Sequence, residues 1–237
     1  NFASVSSYYP PLFYLQEAVV LFFWQDRDAL SFLSNLPGMA MLFGGTWWLG
    51  ARSLKVAAAP WAAILTLLFP LVAWTSRLSL LDLALSGWVT VALCLVVKIW
   101  QQKGRGSSLL LGLVFAAGLL TKWTFALFLV APLIWVVLNS SDRRRAVLHL
   151  VDAGLVATPL VFWWYLPNAQ SLMERFALTV QAAQWEHDPR FGSLLWWLYY
   201  PRSLASYYLF LPLTGLFFVG MVRGWYRDRE QSPVGNL

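Results

Sequence analysis

The chain has 237 residues, 59% of them apolar and only 12% charged, with 15 tryptophans and a formal charge of +6 at neutral pH. Soluble domains carry about 25% charged residues, so this balance excludes an ordinary water-soluble fold and makes lipid the main solvent. The single cysteine, Cys94, lies inside an apolar run without a partner, which excludes a disulfide framework and a thiolate metal site.

Asn1 opens the chain without an initiator methionine and without the charged-then-apolar pattern of a signal peptide, so the sequence reads as a piece of something longer. Residues 11 to 24 are apolar but too short to cross a bilayer, which takes about 20 helical residues. An interfacial helix on the outer face is expected there. Seven spans follow, at residues 30 to 50, 57 to 74, 82 to 99, 107 to 121, 123 to 138, 146 to 165 and 204 to 222. The expected fold is all-α, a polytopic transmembrane helical protein with one transmembrane domain over residues 1 to 237. It consists of an extracytoplasmic interfacial segment (1 to 29), six spans within 30 to 165, a long extracytoplasmic loop (166 to 203), the seventh span and a cytoplasmic tail (223 to 237).

Basic residues between the spans set the orientation. Arg52 and Lys55, then Lys98, Lys103 and Arg105, then Arg143 to Arg145, then Arg223, Arg227 and Arg229 mark every second loop and hold eleven of the 17 lysines and arginines. The positive-inside rule assigns those loops to the cytoplasm. Clustered in this way, the positive charge acts as a topology determinant, and no nucleic-acid partner is expected. Arg105 and Arg143 are both cytoplasmic only if the chain crosses an even number of times between them, so residues 107 to 138 form a hairpin. Each arm has about 15 residues, or roughly 23 Å of helix against about 30 Å of hydrocarbon, which leaves Lys122 at the tip below the outer surface.

Three groups on the outward face carry chemistry. Asp82 begins an apolar helix just after Arg77, where a carboxylate is costly unless paired. It reads either as a helix-start residue serving the macrodipole or Arg77, or as a charge holding a metal, a hydroxyl or another site residue. Lys122 directs an ammonium at headgroups or at an anionic ligand such as a lipid phosphate. The loop segment QWEHDPR gathers Glu186, His187, Asp188 and Arg190 around one of two histidines, a place for proton transfer or metal binding, or for ordinary solvated charge. The other histidine, His149, follows the cytoplasmic arginine run and is assigned no role. Tyr8, Tyr9, Trp163 to Tyr165, Trp196 to Tyr200, Tyr207 and Tyr208 read as interfacial belt residues, with stacking on sugar rings as the alternative for a few.

The order YYPPLFYL, LSNLPG, SRLSLLDLAL and GLVFAAGLLTKWTFALFLVAPLIW resembles the GT-C membrane glycosyltransferases, especially the bacterial family 39 enzymes and their aminoarabinose-transferase-like relatives, over most of residues 8 to 138. That resemblance implies transfer of a sugar from a polyprenyl-phosphate donor to a lipid, glycan or protein acceptor at the extracytoplasmic side of the plasma membrane. It implies that Pro10 and Pro11 match the family's PPL element, that Asp82 matches its outer aspartate in an orienting role, and that Lys122 is the LTK lysine contacting the donor phosphate. Tyr9, Arg77, Glu186 and Arg190 are the further candidates for substrate contact, and His187 for proton transfer or for an incomplete metal-ligand set. The chain departs from the family pattern where relatives of the aminoarabinose type place Glu-Lys before the prolines and this chain has Tyr8 and Tyr9. The family's Arg-Leu-Pro also becomes Asn35, Leu36 and Pro37. Metal binding therefore does not carry over and no cofactor is firmly implied, a divalent metal staying open. The family's catalytic carboxylate is expected upstream of Asn1.

Two other function classes compete on the residues alone. A transporter places polar groups and broken helices near the membrane midplane, often in repeats, and no repeat is visible here. A noncatalytic membrane fragment is the third reading.

Overall fold

The computed structural model describes residues 10–24, 26–53, 56–101, 104–174 and 193–203, together with 215, 218–220, 222 and 223. Every regular element among the described residues is a helix, as the composition led one to expect. Helix α1 (Leu12–Phe23) starts directly after Pro10 and Pro11, whose fixed φ suits the first helical turn. Helix α2 (Arg27–Ser53) continues through Pro37. A short 3₁₀ turn (Val56–Ala58) leads into α3 (Ala59–Leu68), and α4 (Pro70–Thr75) follows after Phe69. The expected continuous segment at 57 to 74 is thus two helices, because Pro70 has no N–H to bond the preceding turn and pushes Phe69 out of the helical region.

Helices α5 (Leu81–Trp100), α6 (Arg105–Thr121), α7 (Phe125–Asn139) and α8 (Arg143–Tyr165) complete the first part of the chain, and α9 (Leu194–Ser203) lies beyond residue 192. Asp142 caps α8 by accepting from the Arg145 N–H at 2.9 Å, which satisfies one of the free donors of its first turn. Helices α6 and α7 form a hairpin turning at residues 122–124. Of the expected seventh span at 204 to 222, only residues 215, 218–220 and 222 are described.

Contacts divide the chain into two units, residues 1–68 with 72–180, and residues 69–71 with 181–237. In the first, Leu85, Leu95, Ile99, Leu111, Phe125 and Leu129 belong to a buried apolar cluster shared by α5, α6, α7 and α8. Helices α2 and α5 meet along a glycine seam. A Cβ on Gly87 would lie 2.7 Å from the Gly38 carbonyl oxygen, and one on Gly45 would lie 2.5 Å from a Thr90 methyl. Backbones can approach this closely only where side chains are missing, which is how helices pack in lipid. In the second unit, Leu194, Leu195, Trp197, Leu198 and Tyr199 are exposed on α9.

Helices α5 and α8 are long and apolar enough to cross a membrane. Only 22% of the apolar stretch of α8 is buried inside the protein, unlike the core helix of a soluble domain. Large apolar side chains also stand exposed on neighbouring helices, among them Trp61, Leu68, Leu127, Phe128, Leu155 and Trp163.

Candidate functional site

Lys122 is the residue at which α6 stops. Its backbone is extended (φ −155°, ψ 130°), its N–H still donates to Gly118 O at 2.9 Å, and its carbonyl accepts from Phe125 N at 3.0 Å. The turn is tight because Gly118 leaves room for the fully buried Phe125 ring, which any Cβ there would strike. Tyr165 at the end of α8 donates from its hydroxyl to Leu119 O at 2.8 Å, satisfying one of the carbonyls freed at the end of α6. The lysine side chain is thereby launched from a fixed backbone.

Its ammonium meets Asp82 in the first turn of α5, with Nζ 2.7 Å from Oδ1. Asp82 pairs with this lysine, whereas Arg77 is exposed and forms no ion pair among the described residues. A carboxylate in the first turn of α5 is also favoured by the helix macrodipole. The partners differ in exposure, 20% for the lysine side chain and 53% for the aspartate. Screened this far, the pair is worth at most about 1 kcal/mol to the fold. Its consequence is positional: a largely covered ammonium is aimed at an exposed acid.

Helix α1 packs against this end of the bundle. Phe13 is buried against Leu81 and Ala84, on either side of Asp82, and the adjoining Pro10 is buried. Glu17 on α1 accepts a hydrogen bond from the Ser79 hydroxyl, and Gln16 donates to the Ser34 carbonyl on α2. Burial raises the Glu17 carboxyl above its ordinary range. Burial, with the Glu17 charge second, raises the Tyr14 phenol too.

Asn35 is fully buried and holds the turn before α5. Its amide nitrogen is 2.7 Å from Leu78 O, 2.9 Å from Ser31 O, and 3.3 Å from each of Thr75 O and Ser76 O. Two N–H bonds cannot saturate four carbonyls, so the two shortest contacts carry the interaction. The residue that stands where the resembled family has arginine ties α2 to the strand of chain bearing Arg77 and leading into Asp82. Sequence reading gave Glu17 and Asn35 no role. A lone carboxylate inside an apolar helix was the available signal for Glu17, whereas nothing local marks an asparagine that bonds carbonyls over 40 residues away.

Below Lys122 lies an apolar cavity of about 250 Å³ between α6, α7 and α8. Leu111, Phe115 and Leu119 line it at four-residue spacing along α6, and the last of them is one turn from Lys122. At the far end of α6 and α8, Arg105 pairs with Asp152 at 2.9 Å, and the buried Ser108 and His149 share a hydrogen bond of 2.6 Å. His149, to which the sequence assigned no role, is buried in this helix contact.

The structure therefore pairs Asp82 with Lys122, sets Phe13, one turn after Pro10, against the residues flanking Asp82, and places Arg77 on the turn before α5. Tyr9, Glu186, His187 and Arg190 lie outside the described residues. Among the described residues no three His, Cys, Asp or Glu side chains converge as a metal-ligand set. Compared with models of protein families, with curated proteins and with solved structures, the chain matches none of them.

Proposed function

We propose that the protein is a polytopic membrane glycosyltransferase that moves a sugar from a polyprenyl-phosphate-linked donor to a lipid, glycan or protein acceptor. On this reading it crosses a bacterial plasma membrane about seven times, with its active face extracytoplasmic. The observation that carries the proposal is the Lys122 ammonium, fixed at a helix end and held 2.7 Å from an exposed carboxylate. The neighbouring cavity supports it, since an apolar cavity with a lining residue, Leu119, one helical turn from a cation suits a lipid chain carrying a phosphate. The exposed apolar surfaces of α7 and α8 support the placement in lipid.

In the proposed reaction, the oxygen of an acceptor hydroxyl forms a bond to the anomeric carbon as the bond from that carbon to the donor phosphate oxygen breaks. The electron pair leaves on the phosphate, and the hydroxyl proton passes to a base. Lys122 stabilises the charge that grows on the departing phosphate, and Asp82 keeps the ammonium oriented until the donor displaces it. Sugar transfer from a polyprenyl-phosphate donor is the test. Lys122→Ala should lower turnover by roughly a hundredfold and Asp82→Asn by roughly tenfold, the scale on which single charge-stabilising groups act. Unchanged turnover in both variants refutes the site.

A further inference from the structure

At the opposite end of α5 from Asp82, two cations converge on one indole ring. The Arg52 guanidinium carbon lies 3.6 Å from the centre of the Trp48 ring, and the Lys98 ammonium lies 5.5 Å from it. The two charges are therefore no further apart than the sum of those distances. They come from different helices, Arg52 four residues after Trp48 on α2 and Lys98 in the last turn of α5. One turn further in, the Cys94 thiol donates to Gly45 O at 3.5 Å, so the register that brings Lys98 to Trp48 is fixed by the helix contact itself.

Among the described residues neither Arg52 nor Lys98 has a carboxylate within ion-pair distance. Two like charges gathered at one ring repel each other, and the quadrupole of an indole offsets only about 0.5–1 kcal/mol for an exposed cation. A shared anion relieves that repulsion. The depth of the cluster identifies the anion's source: Trp47, Trp100 and Trp135 are partly exposed at the same end of α2, α5 and α7, where tryptophans mark the level of lipid headgroups.

We infer that Trp48, Arg52 and Lys98 form a binding site for the phosphodiester headgroup of an anionic glycerophospholipid. Arg52 offers a planar fork to two phosphate oxygens, and Lys98 supplies a mobile point charge on a flexible stem. The indole keeps the guanidinium facing the headgroup layer. Basic pockets between membrane helices bind anionic headgroups in this way. The site lies 16 residues along α5 from Asp82, or roughly 24 Å, and is separate from the proposed transfer site. It rests on the membrane placement of α5 and is independent of the transfer chemistry.

The full chain in phosphatidylcholine vesicles containing a trace of phosphatidylglycerol with a headgroup photocrosslinker provides the test. Label is expected on peptides covering residues 45 to 52 and 94 to 100, resistant to competition by millimolar inorganic phosphate. The paired substitution Arg52→Gln with Lys98→Gln should lower labelling roughly tenfold or more, at about 1 kcal/mol per cation near the surface, while Lys98→Arg keeps it. Label confined to other peptides overturns the site without any variant, as does displacement by inorganic phosphate or equal labelling of the paired variant. Extraction of the chain from the vesicles by alkaline carbonate overturns both this site and the membrane reading. Stable insertion with label elsewhere overturns the site alone.

Discussion

Glu17 shows how burial in this protein becomes a pH dependence. Its carboxyl is raised above the usual 4.5 by desolvation on α1, so the folded protein binds that proton more tightly than the unfolded chain does. The stabilising proton is fully bound below the unfolded value, and its contribution is lost as pH rises through the higher folded value. Glu17→Gln keeps an acceptor for Ser79 and removes the buried charge. Thermal unfolding in detergent should therefore show the variant gaining on the parent as pH rises from about 4.5 to 7, and a constant difference across that range overturns the argument. Asp82 and Lys122 were legible singly in the sequence, because a charge inside an apolar run stands out. Their partnership was not, since they lie 40 residues apart and Arg77 stood nearer to Asp82 along the chain. Asn35 was illegible for the opposite reason, its tie to the turn before α5 being made through backbone carbonyls 40 or more residues away.

At the scale of the helix, apolar run length located most elements to within a few residues. The hairpin over residues 107 to 138 was read from Arg105 and Arg143, which share a side only if the chain crosses an even number of times between them, and its structure adds why the turn closes, Phe125 lying over Gly118. The break at Phe69 was missed because hydropathy sums across Pro70 without registering the lost N–H. Packing between elements left fainter marks, since a glycine in an apolar run looks like any other small residue until its neighbour is known. A valine at position 87 would have to displace the Gly38 backbone, which cannot move as a side chain tip would. Gly87→Val should therefore destabilise by about 2 kcal/mol, read as a lower detergent-unfolding temperature, while Gly154→Ala, with open space around it, changes it little.

For the whole molecule, the all-helical class was legible in the lengths of the apolar runs, whereas the number of crossings, read from those runs, and their sense, read from the basic residues between them, belong to the proposed membrane placement. That placement makes a directional prediction. In a Cys94→Ala background, a cysteine at the exposed Arg77 should react with an impermeant maleimide only from outside intact cells, and one at the exposed Ser141 only after the membrane is opened. Labelling of both from one side refutes the orientation.

The seam between α2 and α5 has one more implication. With the Gly87 backbone against Gly38 and the Thr90 methyl seated on Gly45, the pair has little room to slide or shear, so the two helices move as one body. On the proposed membrane placement, such a body meets a bilayer of the wrong thickness by tilting whole or by deforming the lipid around it, at a fraction of a kcal/mol per Å of mismatch. On the proposed transfer activity, turnover measured in vesicles of increasing acyl length should accordingly pass through a maximum, at the thickness that suits the pair untilted.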